Sequence, residues 1–347
     1  MRRMWPATGR SGTLNPMVDI PPVTIAATDL RPNTRVCGTF LVRQKRRGVG
    51  RTGKPWLQLV LGDRTGTIDA RIWENADSYD ASIPERVLVD VEGQGVEFNG
   101  RTQLRITRIT LHPAEVDTTE WLPRSNLDPV DVETALRDHQ QRLTSAMLQR
   151  LVGLYLDDRE WLHAFCRAPA ARTVHHAEIG GLAAHTLSMM QLAYLVCDHY
   201  RQQGVVVDRD LVVVGALLHD SGKVEELSVE QSFEYTDVGR LLGHIQLGID
   251  RLDRAVAAID DFPEPLHLHL RHLILSHHGE YEYGSPRRPK TLEAMLLHQI
   301  DMLDSRVGIV TQAMQSAGDE TWTGVVPALN RHLMTRSPSH ADDTDTA

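Results

Sequence analysis

One change of rhythm constrains this chain more than any other feature. Up to about residue 113, apolar residues alternate with polar ones. From Asp128 onward they recur at spacings of three and four. A period of two belongs to half-buried strands and a period near 3.6 to amphipathic helices. The chain must therefore fold as a β-module followed by an α-module. Its 347 residues suit two or three domains, and a 41% hydrophobic content supplies material for more than one core.

The first module reads as five short strands. "WLQLVLGD" sets Leu57, Leu59 and Leu61 against Trp56, Gln58 and Val60, and "TGTIDARIW" sets Ile68, Ala70 and Ile72 against Asp69, Arg71 and Trp73. "RVLVDVEG" and "TQLRITRI" repeat the pattern, and an earlier strand spans about 35–43. The stretch 63–66 (Asp-Arg-Thr-Gly) and Asn99-Gly100 are turn signals between them. Five strands in about ninety residues predict a small barrel of the OB type over 21–113. Its outward positions carry Trp56, Gln58, Arg71, Trp73, Gln103 and Arg105. Aromatic planes beside cations and amides suit a single-stranded nucleic acid, by stacking and by phosphate contact. A polar outer face with two half-buried tryptophans is the plainer alternative. Lys45, Arg46, Arg47 and Lys54 fall in "RQKRRGVGRTGK", read as a basic, glycine-rich loop able to close over a strand.

Charge divides the same way. Between Pro21 and His112 the balance is +4, in a chain whose net charge is −9, so the remainder carries −13. A basic module joined to an acidic one fits a polyanion binder coupled to carboxylate chemistry, although a solvated surface also explains +4. No run is long enough to span a bilayer, and "MRRMWPATGRSGTLNP" lacks the apolar segment of a secretory signal. It reads as a flexible arm over 1–20. Cys37, Cys166 and Cys197 form no CxxC pair, which argues against a disulfide framework and a zinc–thiolate site. The expected setting is a reducing cytoplasm.

Residues 114–127 read as a linker. Asp128 as N-cap with Pro129 at the first helical position starts an all-α module over 128–334. "DRDLVVVGALLH" is rich in valine, but Asp208 as cap and the apolar spacing favour helix. No strand is expected in this half. The tail, 335–347, is acidic and expected to be disordered.

Inside apolar helical runs stand His185, His219-Asp220, His244, His277-His278 and Asp301. An unpaired polar group in such a place is costly. Taken alone, "GALLHDSGK" also reads as an ordinary polar helix end, with Gly222 as a C-cap and Lys223 as a surface charge. The whole set points instead to a buried cluster. Imidazoles with carboxylates suit Mn²⁺, Fe²⁺, Co²⁺ or Zn²⁺ with open positions. Asp220 is the candidate to bridge two ions, because a carboxylate has two oxygens. His267, His269 and His272 read as helix-surface residues, and His175 and His176 as candidates to line a cavity mouth.

The order His, His-Asp, His, His-His, Asp resembles the HD-domain metal-dependent phosphohydrolases. More closely, the chain is similar to the YhaM family of bacterial 3′–5′ exoribonucleases, which join an OB-fold to an HD domain. The likeness rests on "KPWLQLVLGDRTGTIDARIW", "APAARTVHHAEIGGLAAHT", "GALLHDSGK", "GHI", "LILSHHGEYEYGSPRRPKTLEA" and "LHQIDMLDSR", and runs from about 25 to 325. It implies ligand roles for His185, His219, Asp220, His244 and Asp301, and for one or both of His277 and His278. It also implies that Lys223 contacts substrate phosphate. Ser221 departs from the pattern, where a β-branched apolar residue is common.

The expected function is hydrolysis of single-stranded RNA, or single-stranded DNA, from the 3′ end to 5′-mononucleotides. Asp220 and Lys223 are the expected catalytic residues. The expected cofactor is a pair of divalent ions, Mn²⁺ first and Co²⁺, Fe²⁺ or Zn²⁺ next, about 3.5–4 Å apart as in two-metal hydrolases. Two other classes compete: an HD phosphodiesterase acting on cyclic or free nucleotides, and a non-catalytic single-strand binder. The OB module argues against the first and an intact ligand set against the second. Whether the chain forms a homo-oligomer is left open.

Overall fold

The computed structural model describes residues 26–50, 53–98, 101–113, 117–172, 177–229, 233–318 and 320–335. The arm 1–20, the turn Asn99-Gly100, His175, His176 and nearly all of the tail lie outside the described residues. The chain divides between Glu115 and Val116 into two compact units.

The first unit is a closed five-stranded barrel built from β1 (Arg35–Val49), β2 (Pro55–Gly62), β3 (Thr67–Ile72), β4 (Leu88–Phe98) and β5 (Arg101–Leu111), in the order β1-β2-β3-β5-β4. The inward residues are those the alternation selected: Leu57, Leu59, Leu61, Ile68, Ala70, Ile72, Val89 and Val91 are all buried. Along β5 the buried set is Leu104, Ile106 and Ile109, a change of phase. A bulge opposite Glu92 and Gly93 accounts for it, since one extra residue in β5 turns the next side chain inward. Asp63 makes the expected turn, its Oδ1 accepting from the N–H groups of Thr65 and Gly66.

Two features of this unit differ from the sequence reading. The first is β1, which runs to Val49. Its basic stretch is therefore strand rather than loop, and Lys45, Arg46 and Arg47 pair with Leu59, Gln58 and Leu57. The second is a short helix, α1 (Ala76–Ser82), between β3 and β4, too brief to show helical periodicity.

The second unit holds α2 (Pro129–Arg142), α3 (Ala146–Asp157), α4 (Arg159–Phe165), α5 (Gly181–Gln202), α6 (Arg209–Leu218), α7 (Lys223–Glu226), α8 (Asp237–Ala257), α9 (Glu264–Ser276) and α10 (Leu292–Ala317). Asp128 caps α2 through the Val130 N–H, with proline at the helix start, and Asp208 caps α6 through the Leu211 N–H. Every residue of α6 from Asp210 to Leu218 is buried. That explains why its sequence is apolar on all sides and resembles a strand.

This unit is not wholly helical. β6 (Leu227–Val229) and β7 (Phe233–Tyr235) form a small antiparallel hairpin, too short for alternation to register. From Asp117 onward the expected linker is also folded. Asp117 caps a 3₁₀ turn over Thr118–Trp121, Leu122 is buried, and the backbone of Pro123 and Ser125 pairs with Ile179. Residues 117–125 thus belong to the helical unit.

Candidate metal centre and nucleic-acid face

Five elements deliver the polar set to one place. His185 comes from α5, and His219 and Asp220 from the turn that follows α6. His244 lies within α8, His277 and His278 follow α9, and Asp301 lies on α10. His185, His219, Asp220 and His277 are each no more than 3% exposed. Two groups of three form, His185–His219–Asp220 and His244–His277–His278, each with its ligand atoms within 4.8 Å of one another. Both neighbouring histidines, His277 and His278, therefore enter the cluster.

Asp220 stands between the groups. Its Oδ2 lies 3.3 Å from His219 Nε2 and 3.8 Å from His185 Nε2. Its Oδ1 lies 3.5 Å from His244 Nε2 and 3.7 Å from His277 Nε2. One oxygen thus faces each group. Asp301 Oδ1 lies 3.4 Å from His185 Nε2 and so joins the first.

The turn carrying His219 and Asp220 stays in helical geometry, so Gly222 is no left-handed C-cap; its φ is −71°. It is glycine because α8 passes against it. A Cβ there would stand 2.1 Å from the His244 carbonyl oxygen. Nor is Lys223 a surface charge. Its Nζ donates to Asp220 Oδ2 and to the Ala170 carbonyl, both at 2.7 Å. Two of its three donors are thereby used inside the protein.

Four of the five imidazoles, those of His185, His219, His244 and His277, are aimed by a bond at the far nitrogen. His219 Nδ1 donates to the Ala216 carbonyl (2.9 Å) and His277 Nδ1 to the Ile274 carbonyl (2.8 Å). His185 Nδ1 meets Asp304 Oδ2 at 2.7 Å, and Ser188 holds the other Asp304 oxygen. His244 Nδ1 meets Glu226 Oε1 at 3.1 Å. With the far nitrogen of these four engaged, Nε2 is the atom turned into the cluster, the arrangement found in metal sites. Asp304, Glu226 and Ser188 were not singled out in the sequence. Asp304 was legible, since it stands three residues after Asp301 on one helix face. Glu226 reaches His244 only through the fold.

Charge is settled by these contacts. Burial opposes the ionised form of Asp220, but Lys223 and His219 outweigh it and hold the carboxyl well below its usual range. Asp301 behaves likewise, burial being overcome by its bond to His185. Burial also works against a charged His185, yet Asp301 and Asp304 raise it to about 9. Burial and the neighbouring His278 push His277 well below its ordinary value, and His278 is lowered by burial and His244.

A metal fits this donor set. Asp220 Oδ1, His244 Nε2, His277 Nε2 and His278 Nδ1 are buried, converge, and have no hydrogen-bond partner. Four such atoms left unpaired would each carry a desolvation cost of about 1–3 kcal/mol. A cation meeting them removes it.

On the barrel, Arg46, Gln58, Arg71, Arg105 and Gln94 are successive cross-strand partners on β1, β2, β3, β5 and β4, and so share one face. The Arg71 guanidinium lies 4.9 Å from the Trp56 ring centre, 5.7 Å from that of Trp73 and 5.5 Å from that of Phe98. Gln103 pairs with Val96 on the neighbouring strands. Trp73 and Arg105 also line a groove of about 460 Å³ beside Asn75, Tyr79 and Thr107. Phe98 was not singled out in the sequence.

The basic stretch divides by strand alternation. Lys45 donates to the Asp80 and Ile83 carbonyls and pairs with Asp80 at 3.0 Å, and Arg47 pairs with Asp77 at 2.7 Å. Both turn to α1, whereas Arg46 falls in the row with Gln58 and Arg71. Lys54 is exposed just before β2.

Comparison with known proteins agrees with this division. Residues 35–111 match the family described as OB-fold nucleic acid binding domain, and residues 182–306 match the HD domain. The chain is thus an OB-fold module followed by an HD-domain unit. It is 33% identical over 303 residues to the 3′–5′ exoribonuclease YhaM of Bacillus subtilis (strain 168), covering 87% of this chain and 94% of that one. The YhaM of Shouchella clausii (strain KSM-K16) is 31% identical, with 89% and 96% covered. This protein belongs to the YhaM 3′–5′ exoribonuclease family.

Proposed function

We propose that this chain is a metal-dependent 3′–5′ exoribonuclease that hydrolyses single-stranded RNA, and single-stranded DNA by the same chemistry, to 5′-mononucleotides. One observation carries the reading: Asp220 directs one carboxylate oxygen into each of two buried ligand groups. Two divalent ions fit that arrangement, with His185, His219 and Asp301 on one side, His244, His277 and His278 on the other, and Asp220 shared. Mn²⁺ is the first choice for a mixed imidazole–carboxylate set, with Co²⁺, Fe²⁺ and Zn²⁺ as alternatives. Such ions supply Lewis acidity toward phosphoryl oxygens and make water acidic enough to lose a proton near neutral pH.

The protein's own groups do the rest. Lys223 keeps Asp220 ionised, so no proton has to leave before the carboxylate serves as a ligand. Its third N–H remains to offset charge on a phosphoryl oxygen. Asp304 and Glu226 hold His185 and His244 in orientation. On the barrel, Trp56, Trp73 and Phe98 offer planes to bases, while Arg46, Arg71 and Arg105 offer cations to phosphates, with Gln58 and Gln103 between them. Lys54 adds charge at the edge of that face, whereas Lys45 and Arg47 act through α1.

The test is a 5′-labelled single-stranded RNA incubated with Mn²⁺. A ladder that shortens from the 3′ end and stalls at a 3′-phosphate is expected, with a circular strand left intact. Cleavage of the circle as fast as the linear form would leave only a general phosphodiesterase.

A further inference from the structure

A second cationic surface adjoins the metal centre along α9. Leu268, Arg271, Leu275 and His278 follow at spacings of three, four and three, which keeps them on one stripe. Backbone geometry stays helical through His277, so the stripe runs to an imidazole of the cluster. The chain then folds back along it. Ser285 Oγ donates to the Arg287 carbonyl (2.6 Å) and lies 3.2 Å from the Leu275 carbonyl, to which the Arg287 N–H donates (3.3 Å). The Lys290 N–H donates to His272 Nε2 at 2.9 Å. These bonds fix the "SPRRPK" segment and leave a groove of about 340 Å³ lined by Leu268, Arg271, His272, Leu275, Arg287 and Lys290.

The groove has an apolar floor and a cationic rim in the acidic part of the chain. Leu268 is 64% exposed. Arg287 and Lys290 are exposed, and no carboxylate among the described residues pairs with either. Arg288 differs, being bound to Glu280 at 2.6 Å and lying over the Tyr281 ring. A merely solvated charge run accounts for neither the fixed segment nor the open leucine. From Arg271 to His278 the helix rises about 10 Å, which is room for more than one phosphate.

We propose that this groove holds the backbone of a single-stranded nucleic acid beside the metal centre, with Arg287 and Lys290 each meeting a phosphate and the Leu268–Leu275 floor taking a sugar or base edge. The proposal rests on reading the HD unit as a nuclease. It makes that unit a strand binder in its own right and not only the place of hydrolysis.

Salt dependence tests it. Binding of labelled oligouridine by the full chain in chelator is measured across salt concentrations for the wild type and for Arg287→Gln with Lys290→Gln. Each lost phosphate contact on a single strand removes about 0.7 from the slope of log affinity against log salt, so the double variant should lose about 1.4. The charge-keeping pair Arg287→Lys with Lys290→Arg should restore most of it. With Mn²⁺, the glutamine pair should raise KM on RNA but spare a small chromogenic phosphodiester. An unchanged slope in a protein of unchanged Tm overturns the groove, even where RNA hydrolysis persists. So does an equal loss of slope from Arg254→Gln with Arg331→Gln, two exposed cations elsewhere. A wild type that binds through the groove without degrading RNA would sink the nuclease reading and leave the groove standing.

Discussion

Asp220 cannot be removed cleanly, because Lys223 depends on it. The sequence alone suggests that Asp220→Ala would silence hydrolysis and leave the fold intact. In the structure that change strands an ammonium that is only 17% exposed. Breaking a buried pair from one side costs about 3–5 kcal/mol, less here for the residual exposure. Asp220→Asn is the cleaner probe. It should abolish RNA hydrolysis at saturating Mn²⁺ while the strand still binds, and turnover near the wild-type rate would remove Asp220 from the centre. Asp304→Asn acts one bond further out. It should weaken Mn²⁺ binding about 10–100-fold, as expected when the carboxylate behind a ligating histidine is lost. Calorimetric titration of the metal-free protein checks this apart from activity. The same residues set a pH window for the metal-free protein. His277 and His278 titrate lower when folded than unfolded, so stability falls as pH drops below about 6.5, where the unfolded chain takes up protons first. Asp220 and Asp301 are lowered too, and their contribution is lost as pH falls further, from about 4 downward. His185 runs the other way: raised to about 9, its contribution is complete below about 6.5 and lost as pH rises toward that value. Tm in chelator should therefore peak between these limits, and a flat profile from pH 4.5 to 9 would contradict the assignment.

At the scale of elements, α8 shows how the backbone aims His244 into the cluster. Gly243 sits within it at φ 74° and ψ 158°, a break that only glycine takes readily. The break frees the His244 N–H from the helical ladder, and it donates to Glu226 Oε1 at 2.9 Å. The same oxygen holds the imidazole, so α7 and α8 position His244 jointly. Gly222 is where they touch. Gly222→Ala keeps an allowed φ but places a methyl 2.1 Å from the His244 carbonyl oxygen and 2.6 Å from the Gly248 nitrogen. Overpacking of this kind costs roughly 1–3 kcal/mol. The expected result is a lowered Tm with a larger loss of metal affinity, since the displaced element carries His244, a proposed ligand. A variant that loses stability but binds Mn²⁺ normally would show that the contact is only packing.

For the whole molecule, two units imply two separable losses. Arg71→Ala with Trp73→Ala should weaken binding of long strands, at about 1–3 kcal/mol per lost stack, and leave a small chromogenic phosphodiester untouched. Equal damage to both substrates would mean that these residues support the barrel instead. The division between β and α modules, the barrel's inward residues and the members of the buried His/Asp cluster were all legible in the sequence. Periodicity is a local property, and chemistry-bearing side chains inside apolar runs announce themselves. Local pattern could not reveal the hairpin of β6 and β7 or α1, because three to seven residues are too few to show a period. It also could not divide Lys45, Arg46 and Arg47. Those three adjacent cations read as one basic loop, and only the extension of β1 sends Lys45 and Arg47 to the carboxylates of α1 and leaves Arg46 on the open face. Nor could it pair Glu226 with His244 or turn Lys223 inward onto Asp220. Which residues gather into the buried cluster was written in the sequence. Which oxygen faces which ligand group was decided only by tertiary packing, because that depends on helices far apart in sequence meeting at a few ångströms.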